Sequence, residues 1–364
     1  MSKPVVMIAA GGTGGHLFPA LALSEELGRR GYGIDLVTDM RADQYGINFP
    51  GRGVHQVPSA TLRGRSPLAL VKLALTLLRG VWQAWTLINE TNPSVIVGFG
   101  GYPTVPPLLA ARLAGVPSII HDANAVMGRA NRLLARFATA IGLSFEKTKY
   151  LRAGDQSKTR LIGMPVRDAV LEEVKPYQTR SRADVFSLLV FGGSQGARIF
   201  ADIVPAALTG LPQAHRVRLK LVQQVREEDM QRVHATYAEA GINAELATFF
   251  SDLPKRMAAS HLVIGRSGAS TVAELTVLGR PAILVPLPHA LDNDQLENAT
   301  RVQDVGGAWC IEQAKFTPEY LCDEIERLAD SPETLIKAAD AARSIGEPGA
   351  VTKLADLIEE LARA

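Results

Sequence analysis

Short apolar runs in this chain end three times in a glycine-rich loop. Val5–Ala10 runs into GGTGGH at Gly11–His16, Val95–Val97 into GFGGY at Gly98–Tyr102, and Leu188–Phe191 into GGSQGAR at Gly192–Arg198. The first and third are followed by stretches of helical pattern. A buried strand, a glycine turn and a helix start together form an anion site. Glycine lets the backbone approach a phosphate closely, and the unpaired N–H groups and helix dipole favour negative charge. One such loop is commonplace in α/β proteins. Three of them, the last opening a second half of the chain, predict two nucleotide-type folds facing each other.

Length and composition fit that expectation. A chain of 364 residues, 47% hydrophobic and 21% charged, suits two soluble domains with full cores. Cys310 and Cys322 are too few for a disulfide framework and lack zinc spacing, which fits a reducing compartment. Lys3 precedes a short apolar run ending in glycines, which reads as a first strand rather than a secretory signal. No run of 18 uncharged apolar residues occurs, so no membrane-spanning helix is expected. Residues 1–165 carry 18 Lys and Arg against 9 Asp and Glu, whereas residues 166–364 carry 21 against 28. A basic first half suits an anionic surface, although the same imbalance can serve solubility alone.

Strand-like and helix-like segments alternate along the chain. In the first half the strands are Val5–Ala10, Ile34–Thr38, Val95–Val97, Ser118–His121 and Ala140–Leu143, with a helix over Leu17–Arg30. In the second half they are Ser187–Phe191, Leu219–Gln223, Glu245–Phe249, Leu262–Ile264 and Ala282–Val285. The alternation predicts parallel sheets covered by helices on both faces. Polar residues 155–159 and the turn Gly163-Met164-Pro165 mark a boundary. Val351, Leu354, Ala355, Ile358 and Leu361 form one apolar helical face with no strand after it, so that helix must dock on something already built.

Pro67–Ile88 has more apolar surface than a sheet-covering helix needs. Leu68, Val71, Leu75, Leu78, Trp82 and Trp85 form one stripe, and Leu70, Leu73, Leu77, Val81 and Ala84 a second. Arg63, Arg65, Lys72 and Arg79 lie before and within it. Cations beside tryptophans on an apolar face suit a helix lying at a membrane surface; a deeply buried core helix reads the same way from pattern alone.

Several polar groups stand where chemistry is done. His16 closes the first glycine loop at a helix start, where the dipole favours a neutral imidazole able to accept a proton, or simply caps the loop. His121-Asp122-Ala123-Asn124 follows a strand, where ligands bind in open α/β sheets, although an Asx-type turn would look alike. Small and hydroxylated residues at Gly265–Ala273 can wrap a phosphate or sugar, and Glu274, one turn on, can accept from ribose hydroxyls; a solvated helix glutamate is the plainer alternative. Gln295 and Asn298 can face one ligand. Asp292 and Asp294 have no recognisable ligand set around them and are expected to cap the following helix, so no metal is expected.

Taken in order, GGTGGHLFPALAL, GFGGYPT, HDANAVMGRANRLLA, GMPVR, GGSQGAR, GRSGASTVAEL and QLENA closely resemble the MurG family, N-acetylglucosaminyltransferases of peptidoglycan synthesis in glycosyltransferase family 28. The resemblance covers essentially the whole chain. It implies an α/β GT-B fold: two Rossmann-like domains with parallel sheets across a cleft, and a C-terminal helix returning to the first domain. The expected divisions are 1–164 for the acceptor and membrane-associating domain, 165–341 for the UDP-GlcNAc-binding domain, and 342–364 for the returning helix.

It also implies inverting transfer of GlcNAc from UDP-GlcNAc to the muramyl sugar of lipid I, giving lipid II. Glu274 would take the ribose hydroxyls. Ser194 and the backbone of Ala269, Ser270, Thr271, Val272 and Ala273 would hold phosphates and neighbouring groups. Phe250 would lie at the uracil, Gln295 at the GlcNAc hydroxyls, and Arg167 near the diphosphate. Thr13, Gly14, Gly15 and Asn124 would approach the donor sugar and acceptor, and Gly100, Gly101 and Tyr102 would receive the acceptor diphosphate. Leu75, Leu78, Trp82 and Trp85 match the family's membrane-contact surface. The protein would work on the cytoplasmic face of the bacterial inner membrane, bound to its anionic surface, with no nucleic acid, no cofactor, and other cell-wall and cell-division proteins as partners. In one place the chain departs from the family: Asp122-Ala123 stands where Glu-Gln is usual, which removes an amide at Ala123.

Breaking the sugar–UDP bond loads charge on the diphosphate. A helix N-terminus, glycine-loop amides and Arg167 are expected to neutralise it without an essential metal. A base must take the acceptor proton; His16 is the first candidate and Asp122 the second. Rival readings are a UDP-GlcNAc 2-epimerase of the same architecture, which has no use for a basic domain with a surplus-apolar helix, and a non-catalytic UDP-sugar sensor. A nicotinamide dehydrogenase is disfavoured because the first loop is not G-x-G-x-x-G and only Asp39 offers a ribose acid.

Overall fold

A computed structural model describes residues 4–11, 14–39, 49–60, 66–193 and 196–363. Arg63, Arg65, Thr13 and Ser194 lie outside them. The chain divides into two compact units, one of residues 1–167 together with 348–364 and one of residues 168–347.

In the first unit β1 (Val5–Ala9) leads into α1 (Gly14–Arg29), β2 (Gly33–Thr38) and β3 (Gly53–Gln56). Then come α2 (Pro67–Thr91), β4 (Val95–Gly98), α3 (Val105–Ala114), β5 (Ser118–Asp122), α4 (Arg129–Leu134), β6 (Ala140–Leu143) and β7 (Thr159–Leu161). Among the described residues the strands form one parallel sheet in the order β3-β2-β1-β4-β5-β6-β7. Its central strands are buried along their whole length, as parallel strands covered on both faces must be.

The second unit repeats the plan. It comprises α5 (Asp168–Leu171), β8 (Phe186–Phe191), α6 (Arg198–Gly210), α7 (Gln213–Arg216), β9 (Leu219–Gln224), α8 (Met230–Glu239), β10 (Ala244–Ala247) and α9 (Leu253–Ala258). It continues through β11 (Leu262–Gly265), α10 (Ala269–Leu278), β12 (Ala282–Leu284), α11 (Asp294–Asp304), β13 (Ala308–Cys310), α12 (Pro318–Ala329) and α13 (Pro332–Ser344). Its parallel sheet runs β10-β9-β8-β11-β12-β13. The last helix, α14 (Ala350–Arg363), belongs to the first unit. There Leu354, Ala355 and Ile358 join the core beside Leu23, Leu27 and Val97. Arg30, just past α1, holds it from outside, with Nη1 2.6 Å from Asp356 Oδ1 and 3.2 Å from Glu359 Oε1.

The sequence pattern misses β3, β7 and β13. The first two are half-exposed sheet edges, and β13 is a three-residue strand, so none shows a sustained apolar run. The polar stretch read as a boundary instead forms a 3₁₀ turn over Ala153–Lys158 and runs into β7. A helix also follows the second glycine loop, α3, so all three loops lead into helices.

The helix with two apolar stripes is α2. Ser66 caps it, its Oγ accepting from Ala69 N at 3.2 Å, and Pro67 takes the first turn, where its missing N–H costs nothing. One face packs on α3 through Gly80, Ala84 and Ile88, four residues apart. A Cβ at Gly80 would run into the Pro58 carbonyl oxygen, so only glycine lets the helix lie this close. The other stripe faces outward: Leu68 is 83% exposed, Leu75 62%, Leu78 66% and Trp82 65%. That overturns the core-helix alternative. It also qualifies the expectation of no spanning segment, because α2 is long and apolar enough to cross a membrane by length and composition alone.

Candidate active site

Each sheet has one place where the chain, having built strands outward on one side, returns to the centre and builds on the other. In the first unit this switch falls between β1 and β4, and in the second between β8 and β11. Crevices open at the carboxyl ends of such strand pairs. The three glycine loops follow β1, β4 and β8, and the Gly265–Gly268 loop follows β11.

At the first switch point, His16 sits in the opening turn of α1, half-buried. Its Nδ1 lies 3.1 Å from the Gly11 carbonyl, which can only accept, so Nδ1 carries the proton and Nε2 is the basic nitrogen. Burial holds the imidazole below its ordinary pKa and therefore neutral. The ring lies over the second glycine loop. Gly100 and Gly101 both have positive φ, 87° and 77°, and a Cβ on Gly100 would stand 3.5 Å from His16 Nε2. Glycine there satisfies the positive φ of the turn. Tyr102 opens a 3₁₀ turn and is 38% exposed.

Asp122 ends β5 and is buried. Its Oδ1 accepts from Asn124 N at 3.2 Å, while Oδ2 accepts from Gly128 N at 2.8 Å and from Asn131 Nδ2 at 2.9 Å. The carboxylate thus ties the 122–128 loop to α4. Burial pushes its pKa up to about 6 despite these donors. Asn131 Nδ2 also donates to the His121 carbonyl, and a Cβ on Gly100 would lie 3.6 Å from that nitrogen. His121 itself is buried, donates from Nε2 to the Gly163 carbonyl at 2.8 Å, and is pushed down to about 4 by burial. Arg167, the last residue before the chain enters the second unit, lays its guanidinium 4.6 Å from the Phe18 ring centroid. So His16, Gly100, Gly101 and the Asp122 loop come together, with Asn131 joining them. Asn131 was not singled out in the sequence; its only signal is an amide nine residues after an acid in a glycine-containing loop.

At the second switch point, Gly268 caps α10 with extended backbone, so the amides of Ala269, Ser270 and Thr271 open the helix. Val272 and Glu274 are buried on it; a buried glutamate is not the solvated helix residue that pattern alone would favour. The preceding loop is tied to α11: Ser267 Oγ donates to the Gln295 carbonyl at 2.8 Å, and Asn298 Nδ2 donates to the Ser267 carbonyl at 3.2 Å. Gln295 accepts at Oε1 from Leu287 N at 3.0 Å, which orders the loop after β12. Asn298 is fully buried, so its side chain is structural rather than ligand-facing. The residue capping α11 is Asn293, in left-handed conformation and without a side-chain cap bond, instead of an aspartate. Asp294 accepts from Gln295 N at 2.7 Å.

Phe250 lies in the loop after β10, buried beneath Arg256, whose guanidinium is 4.3 Å from the ring centroid. Gln224, at the end of β9, joins that loop to the third glycine loop. Its Oε1 accepts from Gly192 N at 2.9 Å, and its Nε2 donates to the Gly193 carbonyl at 3.0 Å and the Thr248 carbonyl at 3.1 Å. Nothing in the sequence marks it. Among the described residues the one His/carboxylate cluster of metal-ligand type is His215, Glu326 and Asp330. It sits on and beside α7 and α12 rather than on a switch-point loop, and His215 Nε2 lies in hydrogen-bond contact with Asp330 Oδ1 at 3.0 Å.

Family models matching both units place this chain among glycosyltransferases. The glycosyltransferase family 28 N-terminal domain model matches residues 6–143 and its C-terminal domain model residues 187–361. The chain belongs to glycosyltransferase family 28. It is 52% identical over 99% of both chains to a Bradyrhizobium sp. (strain ORS 278) protein named UDP-N-acetylglucosamine--N-acetylmuramyl-(pentapeptide) pyrophosphoryl-undecaprenol N-acetylglucosamine transferase. A Nitrobacter hamburgensis protein of the same name is 51% identical, covering 100% of this chain and 98% of that one. The crystal structure of Acinetobacter baumannii MurG superimposes with a TM-score of 0.80 at 28% identity, over 99% of this chain and 100% of that one.

Proposed function

We propose that this protein transfers N-acetylglucosamine from UDP-GlcNAc to the muramyl sugar of lipid I, with inversion at the anomeric carbon. The observation that carries the proposal is the 52% identity, over 99% of both chains, to a relative named for that transfer. A crevice framed by glycine loops or a helix start at each switch point is what two diphosphate substrates require.

The second unit takes the donor. Glu274 receives the ribose hydroxyls, the amides opening α10 and the Gly192 loop hold the diphosphate, the Phe250 loop meets the uracil, and Gln295 meets the sugar. Ser194 and Arg167 assist at the diphosphate. The first unit takes the acceptor: Gly100, Gly101 and Tyr102 hold its diphosphate, while Thr13, Gly14, Gly15 and Asn124 approach the reacting sugars. His16 removes the acceptor proton. Its neutral imidazole and basic Nε2 over the Gly100 turn support that role. Asp122 is the second candidate; three hydrogen bonds from its own loop and α4 favour it as the group that shapes the site. Charge on the departing UDP is met by helix-terminal amides, with no metal required.

The enzyme acts at the cytoplasmic face of the inner membrane, where lipid I is anchored. The outward stripe of Leu75, Leu78, Trp82 and Trp85, with Lys72 and Arg79 beside it, supports an interfacial contact with anionic lipid. Cell-wall and cell-division proteins are proposed partners on family grounds alone.

UDP release from UDP-GlcNAc, measured with and without a lipid I analogue and with and without EDTA, tests the proposal. Release that needs the analogue and survives EDTA is expected. Conversion of UDP-GlcNAc without any acceptor would point instead to an epimerase.

A further inference from the structure

The geometry points to Gln224 as a positioning residue that couples the phosphate loop of the donor site to its nucleobase loop; this rests on the donor-site reading above. Both hydrogen-bonding ends of one buried side chain are committed to backbone: the amide oxygen to Gly192 N, the amide nitrogen to the carbonyls of Gly193 and Thr248. Gly192 and Gly193 begin the glycine loop after β8, and Thr248 stands two residues before Phe250 in the loop after β10. These loops leave strands on either side of β9, the strand that ends in Gln224. No ladder hydrogen bond joins β8 to β10, because β9 lies between them. A planar amide with one acceptor and two donors fits these three partners, and neither a carboxylate nor a thioether can replace it. The amide therefore fixes the distance between the part of the site that reads uracil and the part that holds phosphate. A nucleoside diphosphate spans both parts and gains from a fixed spacing; a nucleoside alone does not.

The test compares UDP with uridine on the full-length protein and on Gln224→Met, which keeps side-chain length and loses all three hydrogen bonds. UDP binding by calorimetry is expected to weaken about tenfold in Gln224→Met, and uridine binding less than about threefold. KM for UDP-GlcNAc should rise about tenfold, with KM for the lipid I analogue moving less than about twofold. Hydrogen exchange on the wild-type protein adds a readout that needs no variant. Uridine alone should slow exchange at Gly192 as well as in residues 248–250, and in Gln224→Met it should slow only the latter. Equal weakening of UDP and uridine, or protection of residues 248–250 alone in the wild type, would overturn the coupling. Failure of the wild-type protein to bind UDP would remove the donor-site reading itself. Normal UDP binding in both proteins would sink only the role of Gln224.

Discussion

The two units share a strand order and diverge in what hangs from it. Both return to the centre of a parallel sheet and open a crevice at the switch. In the first unit the crevice holds a neutral histidine against two left-handed glycines and a buried carboxylate, with an outward apolar helix on the same unit. In the second it holds a buried glutamate on a helix start and an amide strapped across two loops. The topology supplies a switch-point crevice twice, and the side chains that line it differ. The two candidate bases, His16 and Asp122, both stand in the first unit, and the buried Glu274 stands in the second.

That division breaks if the wrong substitutions damage the wrong step. The largest effect is expected from His16→Ala, which should cut kcat by roughly 10²–10⁴-fold while leaving UDP affinity within a fewfold. Near-normal turnover would exclude His16 as the base. In the wild type the acidic limb of kcat/KM should lie below pH 6.5, since burial lowers the imidazole pKa from that value. Next comes Glu274→Ala, which should raise KM for UDP-GlcNAc by about 10–100-fold and leave KM for the acceptor alone; a comparable change in acceptor KM would blur the boundary between the units. The double variant Leu75→Ser, Trp82→Ser should weaken binding to anionic vesicles at least about tenfold, with turnover of a soluble acceptor analogue within about twofold. Unchanged vesicle binding would reject that stripe as the contact.

The smallest effect concerns Asp122 and sharpens its place in the first unit. Its folded pKa, about 6, lies above the ordinary 3.8, so its protonated form is the one the fold favours. The stability this contributes is fully present below about pH 3.8 and lost as pH rises through about 6. Asp122→Asn, which cannot titrate, should therefore gain on the wild type by roughly 2 kcal/mol in urea unfolding between pH 4 and pH 7. A constant difference across that range would mean the carboxylate is not desolvated.

Sequence legibility followed locality. Glycine loops at strand ends, the helix start at Ala269 and the face of α14 are written in neighbouring residues, and the structure has each at its expected place. The outward direction of the α2 stripe was not legible, because two apolar stripes look alike until Gly80 shows which side touches Pro58. Gln224 and Asn131 escaped for a related reason. Each is an ordinary amide whose role depends on backbone groups brought to it by other strands or loops. Edge strands β3 and β7 were lost because a half-exposed edge has no apolar run to show.

The return of α14 to the first unit means that this unit is encoded on both sides of the second. Residues 348–364 are made after the whole of the second unit, yet Leu354 and Ile358 fill a core begun by β1 and α1. During synthesis the second unit has its entire sequence available while the first still lacks a helix. A chain truncated before Pro348 would keep every residue of the second unit and lose core packing in the first. Damage to α14 should therefore appear first in the first unit's site.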